Sequence, residues 1–438
     1  MFAASVKKLT KLQDMGCLVS TPEDNGGKRR TPQDIGEVSV YVPGLRIPKP
    51  VDFSHSLGSI LSRNLVQLLT ALRTRIAVLA GEGAPTVKRL TRKRATQHGG
   101  STLTDLQQAL EDYLPVLLGL VKEGNHLMHE VHFVWVNQED EAEETTISNA
   151  WYEVLSVLHM MAMALLLQAN IMLLPKTSAD GIQSKVAEEC RRASVDVFLK
   201  AAGFLDYAVR HVLPQFPAEL RRELPVDLQE GVLQALCLQA LGQAADIQLG
   251  MAIDSSKATL AVKRRLACEI VKYWQQAQEH LVNFPLMNGW GEKHRQYVKW
   301  KYVEAKAAAY YFHGLILNEG KSHGMAAAAL QVAVESLEES KKLSEAFDAT
   351  PPLSRNPPLW GATKYISEKI PKDASVKVRI NRDLYSQDNR TAEGAPTLPD
   401  FALALKPDEY QLPSVHSCWN EEKIDRSRLE ANQPKGTR

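Results

Sequence analysis

The stretch from Ile147 to Phe347 restricts the fold more than any other feature, because apolar residues recur through it at helical spacing. Prolines and a glycine interrupt the pattern at intervals that fit long helices joined by short turns. The interruptions are at Pro175, 214–217, Pro225, Pro285 and Gly320. An array of helices of this length escapes the size limit on a single core, since each helix packs only on its neighbours. The sequence therefore predicts an all-α fold built as an elongated helical array.

The most regular part of this stretch has the order and spacing of a tetratricopeptide-type helix pair. The residues that carry the pattern are Gly314, Leu317, Ala326, Leu330 and Ala333. The small residues would let two antiparallel helices approach closely, with Leu317 and Leu330 filling the seam. One such pair cannot bury its own apolar face, so other helices must stack on it. We therefore expect a tetratricopeptide-like core.

Strand signals are few and lie near the N-terminus. Residues 38–42 alternate between apolar and polar side chains, Pro43 and Gly44 form a turn signal, and residues 45–47 follow. This pattern predicts a small N-terminal β-hairpin ahead of the helices.

Composition divides the chain into three parts. Residues 1–36 are polar and are predicted to be disordered. Residues 37–413 are predicted to form one helical domain. Within it, residues 376–413 contain several prolines and little helical pattern, so we expect them to run extended over the helices. Residues 414–438 are predicted to be a flexible tail.

The most apolar segment is Val154–Leu174, which approaches the length of a membrane span. It contains Ser156, His159, Gln168 and Asn170, so it is predicted to be a buried helix of the domain.

Little in the chain points to chemistry. A net charge of +1 gives no overall field that would attract nucleic acid. The sequence has no phosphate-binding loop, no nucleophile elbow and no dinucleotide fingerprint. We therefore predict a protein that is not an enzyme, with no cofactor and no small-molecule substrate. The five cysteines are far apart in sequence, as is usual in a reducing compartment, and this favours a cytoplasmic protein.

Two clusters resemble metal sites but are interpreted otherwise. His126, His129 and His132 are spaced by three, yet they lead into the non-helical run 131–136, and no carboxylate or thiolate joins them at ligand spacing. The acidic cluster at residues 139–144 is predicted to be a solvated, helix-capping segment. No metal site is predicted.

A basic stretch, Lys88–Arg94, has two readings that the sequence leaves open. It is either a solvated loop or a patch for an acidic lipid or an acidic partner.

A lipid-anchor motif lies near the N-terminus. Residues 15–20, Met-Gly-Cys-Leu-Val-Ser, match the acceptor pattern for myristoylation at Gly16 with palmitoylation at Cys17. The basic residues Lys28, Arg29 and Arg30 follow, and each would add about 1 kcal/mol of attraction to an anionic leaflet. Myristoylation requires a free α-amine on Gly16, so the motif acts only if translation begins at Met15; coincidence is the other reading.

Several segments in order resemble the Bro domain of Alix-type endosomal adaptors over roughly residues 38–413. Each segment is weakly specific alone, but their order and spacing together are more specific. Those segments are Tyr41–Lys49 with 51–53, Val131–Trp135, Lys299–Phe347, Asn381–Tyr385, 398–399 and 405–407. The chain stops soon after residue 413, so it is most similar in extent to the stand-alone Brox-type members. Those members carry a C-terminal prenylation box, whereas the proposed anchor here is at the other end.

The resemblance implies a boomerang-shaped array that recruits the C-terminal amphipathic helix of a Snf-type ESCRT-III subunit in a concave apolar groove. Matching this chain to the family places Val262 and Leu266 at the groove, with Leu249 as a looser match. The other reading of these residues is that they belong to the core.

The resulting hypothesis is a cytoplasmic adaptor, peripheral on endosomal or plasma membrane, with an ESCRT-III subunit and an anionic membrane surface as partners. Two alternatives remain open. The first is a tetratricopeptide-like scaffold that binds an unrelated peptide, and the second is an unrecognised helical enzyme.

Overall fold

The structure is a computed structural model of the 438-residue chain. It describes residues 40–43, 46–83, 95–122, 126–137, 140–173, 186–282, 289–351, 363–385 and 396–420. The predicted disorder of residues 1–36 lies outside these ranges, as does most of the predicted C-terminal tail.

The described part of the chain is predominantly helical, as predicted. The helices are α1 (Phe53–Leu57), α2 (Arg63–Gly83), α3 (Ala95–Leu117), α4 (Ala150–Met172), α5 (Glu188–Tyr207), α6 (Ala218–Glu223), α7 (Glu230–Asp254), α8 (Leu260–Leu281), α9 (Gly289–Glu319), α10 (His323–Ala349) and α11 (Thr363–Tyr385). From α1 to α5 each helix packs on the next. The order continues through α5 with α7, α7 with α8, α8 with α9, α9 with α10, and α10 with α11. This neighbour-by-neighbour packing is that of a helical array.

A three-stranded antiparallel sheet accompanies the helices, in the order β1 (Arg46–Pro48), β2 (Phe133–Asn137) and β3 (Asp140–Ile147). The described partner of β1 is β2, with Ile47 opposite Val136. The hairpin predicted around Pro43 and Gly44 therefore differs from the observed sheet, in which the first strand pairs with one distant in sequence. β3 contains residues 140–144 of the acidic cluster, so the prediction of a helix-capping segment there is wrong.

Two buried ion pairs lie where the sheet meets the helices, and Arg73 of the second pair also donates to the Val134 carbonyl of β2 at 3.2 Å. The guanidinium of Arg46 lies 3.0 Å from the Asp227 carboxylate and also donates to the Tyr152 hydroxyl, at 3.1 Å. Arg73 of α2 lies 3.0 Å from Glu153 of α4, and both side chains are fully buried. Each pair compensates a charge that would be costly to bury alone.

Helix α4 is the one described helix that is long and apolar enough to cross a membrane by length and composition. Most of its apolar window, 83%, is buried within the fold. It begins at an N-cap, Asn149, whose side chain accepts from the Trp151 amide at 2.8 Å. The prediction of a buried helix over this segment is confirmed in the structure.

Helices α9 and α10 form the predicted pair. A Cβ on Gly314 would lie 2.9 Å from Leu330 Cγ and 3.2 Å from the Ala326 carbonyl oxygen, so glycine is what permits the close approach. Leu330 and Ala333 are fully buried, whereas Leu317 is only half-buried. The seam therefore depends more on Leu330 than on Leu317.

The prediction of an extended chain over residues 376–413 is wrong over its first ten residues. Residues 376–385 are the last turns of α11. Ile366, Ile370 and Ala374 recur at helical spacing and are buried, which fixes this segment as a helix despite Pro371. Residues 396–416, called here the closing segment, are extended.

Candidate partner-binding surface

The first two turns of α8 present the predicted residues Val262 and Leu266. The helix begins after Thr259, whose side chain accepts from the Val262 amide at 3.3 Å, as an N-cap does. Val262 is 46% exposed, one of few large apolar side chains in the described residues that reach solvent so openly. Leu266 lies one turn later and is half-buried against the core. The two are therefore neighbours on one side of α8, as predicted.

Leu249 on α7 has a different environment, because only 5% of its surface is exposed. It lines a small pocket with Ile253 of the same helix, Ile270 of α8, and Ile366 of α11. The side chain of Ile366 lies at this pocket because α11 packs back on the array. A partner that touches Leu249 must therefore reach it through the pocket.

One side of the pocket is charged, and its residues Asp246 and Glu304, together with Lys301 beside them, are called here the charged floor. The carboxyl groups of Asp246 on α7 and Glu304 on α9 both line the pocket. Lys301 forms a close ion pair with Glu304, and its Nζ lies 3.9 Å from Asp246 Oδ2. One ammonium therefore faces two carboxyl groups in a site that is otherwise largely apolar.

Burial determines how these groups ionise. It raises the pKa of Asp246 to about 7, reinforced by Glu304 and opposed by Lys301 and by the Trp274 side chain. Burial alone disfavours the charged form of Lys301, yet the two carboxyl groups raise the pKa of its ammonium above the ordinary value. Lys301 therefore stays charged, whereas Asp246 exchanges its proton near neutral pH.

The surface around Val262 is basic. Lys257 and Lys263 flank it, and no ion pair to either occurs within the described ranges. Arg264 lies over the Phe401 ring, 5.9 Å from its centre, while Arg265 is paired with Glu269 at 3.0 Å. The exposed apolar residue therefore has positive charge on both sides along the chain.

The closing segment covers the part of α8 that follows this surface. Glu269 accepts from the Ala404 amide at 2.8 Å, and the Tyr273 hydroxyl donates to the Leu405 carbonyl at 2.8 Å. Lys272 also pairs with Asp400. These hydrogen bonds begin two turns after Val262. The Phe401 ring of the segment also contacts Arg264, yet among the described residues Val262 itself stays 46% exposed.

Farther along, the closing segment crosses α5 and reaches α3. The Asp408 amide donates to Leu199 of α5 at 3.1 Å, and the Tyr410 ring packs edge-on against Phe204. The turn that follows the segment carries Trp419, whose indole N–H donates to the Val116 carbonyl of α3 at 2.9 Å. The segment and this turn therefore tie together three helices that are distant in sequence.

Gly119, just after α3, leaves the space that the Trp419 ring occupies. A Cβ on Gly119 would lie 1.9 Å from the indole ring, a distance that no packing tolerates. We expect Gly119→Ala to expel Trp419 and to lower the free energy of unfolding by about 2 kcal/mol, the scale of one lost large apolar side chain. Tryptophan emission should shift to the red, and proteolysis after residue 396 should accelerate.

Gly81→Ala in α2 is the matched control, because a Cβ there meets nothing within 4 Å. It should leave stability unchanged or slightly higher, since alanine favours a helix over glycine. Equal behaviour of the two variants would show that Trp419 does not need the space at Gly119.

Other predicted residues fall elsewhere. Gly16, Cys17, Lys28, Arg29 and Arg30 lie outside the described residues, and so does the basic stretch Lys88–Arg94. The three histidines do not share one helix face. His126 and His129 belong to a single 3-10 turn, and His132 follows it and contacts the Ser148 hydroxyl.

Sequence reasoning missed the charged floor of the pocket. Lys301 and Glu304 are spaced by three, which places them on one side of a helix. Lys299 and Lys306 lie in the same stretch, so the pair did not stand out as a buried charge. The approach of Asp246 from another helix had no local signal either.

The profile of the BRO1-like domain matches residues 49–389. No curated protein matches the sequence.

Three solved structures share the fold at low identity. A complex of ALIX BRO1 and CHMP4C has a TM-score of 0.57 and 16% identity, covering 87% of this chain and 100% of that one. A structure described as the basis for endosomal targeting by the Bro1 domain has a TM-score of 0.56 and 14% identity, covering 88% and 95%. ALIX with the SIVmac239 PYKEVTEDL late domain has a TM-score of 0.55 and 16% identity, and covers 87% of this chain. This chain spans 50% of that ALIX chain.

Proposed function

The chain belongs to the BRO1-like domain family, and on that premise we propose that it is a non-enzymatic adaptor of the endosomal sorting (ESCRT) pathway. Its partner is the C-terminal amphipathic helix of a Snf-type ESCRT-III subunit, which docks at the start of α8. The ALIX BRO1 domain, which shares the fold, has been solved with CHMP4C. The family and this shared fold support the choice of partner.

The single observation that carries the docking site is the exposure of Val262 beside Leu266. An apolar side chain that is 46% exposed gains from being covered, and its half-buried neighbour extends the same apolar side by one turn. Amphipathic helices dock through residues at this spacing. Val262 stays exposed beside the closing segment in the described residues, so a helix has access to it.

Leu249 contributes in a different way from the other two residues. With 5% of its surface exposed, it cannot form a broad contact with a partner helix. Its position in the pocket lets it receive the tip of one side chain. The proposed surface is therefore Val262 and Leu266 for the helix face, with Leu249 at the adjoining pocket.

The test is direct binding of a fluorescent tail-helix peptide from a Snf-type subunit to the full chain, followed by anisotropy. The same peptide with its apolar positions changed to serine is the control. Saturable binding of the native peptide only supports the proposal. Equal binding of both peptides, or of neither, would favour the alternative of a scaffold for an unrelated peptide.

We further propose that the protein acts on a membrane, through acylation at Gly16 and Cys17. One myristoyl chain holds a protein only marginally, and a second chain makes the attachment stable. The basic residues Lys28, Arg29 and Arg30 would add attraction to an anionic leaflet. Anchoring would concentrate the adaptor and its partner on one surface, so that a modest affinity suffices.

In cells, Cys17→Ser is expected to lower the membrane-bound fraction about tenfold, because one chain remains, and Gly16→Ala to remove membrane binding altogether. Membrane flotation measures both, and mass spectrometry of the native N-terminus identifies the modified residue. Cys418→Ser, a cysteine change outside the motif, should have no effect. A native chain that begins at unmodified Met1 would contradict the anchor.

A further inference from the structure

The floor of the pocket holds more negative charge than the fold neutralises once Asp246 is ionised. Glu304 and Asp246 then carry two negative charges, and Lys301 supplies one positive charge between them. The walls are apolar, formed by Leu249, Ile253 and Ile366 among others. In such surroundings an uncompensated carboxylate is costly, so the site favours one more positive charge.

Two oxygens of the floor are unused. Glu304 is 5% exposed, and its Oε1 has no hydrogen-bond partner among the described residues, while its other oxygen is taken by Lys301. Asp246 Oδ2 also lacks a partner there, because Lys301 Nζ at 3.9 Å is beyond hydrogen-bond reach. Buried polar atoms without partners are rare in folded proteins, so these two need an explanation.

The size of the cavity limits what can fill it. Its volume is about 30 Å³, roughly two to three times the minimum that holds one water molecule. A primary ammonium group is about as large as water, whereas the planar guanidinium of arginine is several times larger. An ammonium on an alkyl chain fits both the polar floor and the apolar walls.

We propose that this pocket is a binding site for a primary ammonium group, and that its natural occupant is a lysine side chain of the docked partner helix. The identity of the occupant rests on the proposed function, whereas the ammonium site itself does not. The three donors of the ammonium would reach Glu304 Oε1 and Asp246 Oδ2. The alkyl stem would lie against Leu249 and Ile366.

Binding of an ammonium group in the pocket is coupled to loss of the proton from Asp246. The groups that face this carboxyl are Lys301, Glu304 and the Tyr297 hydroxyl of α9, and Trp274 of α8. An ammonium favours the ionised form of Asp246, so binding releases a proton. The affinity for ammonium therefore rises as the pH increases through about 7, the pKa of Asp246 in the empty pocket.

The indole N–H of Trp274 is the natural probe, because the Trp274 side chain is near enough to Asp246 to lower the pKa of its carboxyl. Its NMR signal, identified among the seven tryptophans by Trp274→Phe, should titrate with a midpoint near 7 in the full chain. Butylammonium chloride at ten times its dissociation constant should lower that midpoint by about one unit, the shift for a ligand that binds only the ionised form. Butanol, of similar shape but uncharged, with sodium chloride at equal ionic strength, should leave it in place.

Asp246→Asn keeps the shape and removes the charge, so it should abolish both the titration and the butylammonium response. Glu230→Gln, an exposed position at the start of α7, is the matched control and should change neither. Thermal unfolding of both variants checks that the fold is intact. A titration that ignores butylammonium would show a cavity for water only and would overturn the proposal.

The assignment of the pocket's occupant to a lysine of the partner helix is tested separately. If the tail-helix peptide binds, changing its lysines to methionine one at a time should identify one that lowers the affinity about tenfold in the native protein and not in Asp246→Asn. If butylammonium acts but no such lysine exists, the ammonium site stands and its assignment to the partner helix fails.

Discussion

Val262→Asp is expected to weaken binding of the ESCRT-III tail helix about 100-fold. In the complex the new carboxylate would be covered by an apolar partner surface without a hydrogen-bond donor, and such a loss corresponds to about 2.7 kcal/mol. In the free protein the side chain at this position is exposed, and an acidic residue in the first turn of a helix is favourable. The variant should therefore fold normally, and anisotropy titration with the labelled peptide measures the loss.

Val78→Asp is the matched control, because Val78 is 51% exposed and lies on α2. The same substitution there should leave the affinity within twofold of the native value. If Val262→Asp bound the peptide as tightly as Val78→Asp does, the start of α8 would not be the docking site.

Arg73→Met is expected to lower the free energy of unfolding by about 3–5 kcal/mol, because it leaves Glu153 buried without a counterion. Glu153 is fully buried and accepts from the Trp135 indole at 2.7 Å and from the Tyr113 hydroxyl at 3.2 Å. The cluster joins α2, α3, β2 and α4, so the loss should affect the whole N-terminal half. Urea denaturation measures it.

The double variant Arg73→Met/Glu153→Gln is the control. It should recover a large part of the stability, because the uncompensated charge is gone. If the double variant were as unstable as Arg73→Met alone, the loss would come from packing of the arginine and not from the ion pair.

The loss in free energy of unfolding caused by Arg73→Met should depend on pH. Burial raises the pKa of Glu153, while Arg73, Trp135 and Tyr113 act against that rise, so removing Arg73 raises the pKa further. A carboxyl whose folded-state pKa is raised binds its proton more tightly in the folded protein, so stability falls as pH increases. The loss should be smaller at pH 5 than at pH 8.

The local spacing of apolar residues in the sequence was sufficient to predict the long helices. Apolar spacing predicted α4 as a buried helix, and the small residues at Gly314 and Ala326 predicted the close α9 and α10 pair. These features depend on neighbours within one helix or one helical hairpin, and such contacts leave a periodic signal in sequence. The Pro-Gly signal near residue 43 was misleading, because the partner of β1 is β2, which no local rule identifies.

The candidate site was predicted unevenly for the same reason. Val262 and Leu266 are one turn apart on one helix, so their proximity followed from spacing alone. The burial of Leu249 depends on Ile366, which α11 brings from more than a hundred residues away. The charged floor likewise joins Asp246 of α7 to Lys301 and Glu304 of α9, and a single sequence does not show such an approach.

Placing a photoreactive benzoylphenylalanine at position 262, and in a second protein at position 282, tests the docking claim most directly. Val262 and Val282 are 46% and 59% exposed and lie at opposite ends of α8. On illumination with the bound tail-helix peptide, we expect a crosslink from position 262 and none from position 282. A crosslink from position 282 alone, with the peptide bound in both proteins, would contradict docking at the start of α8.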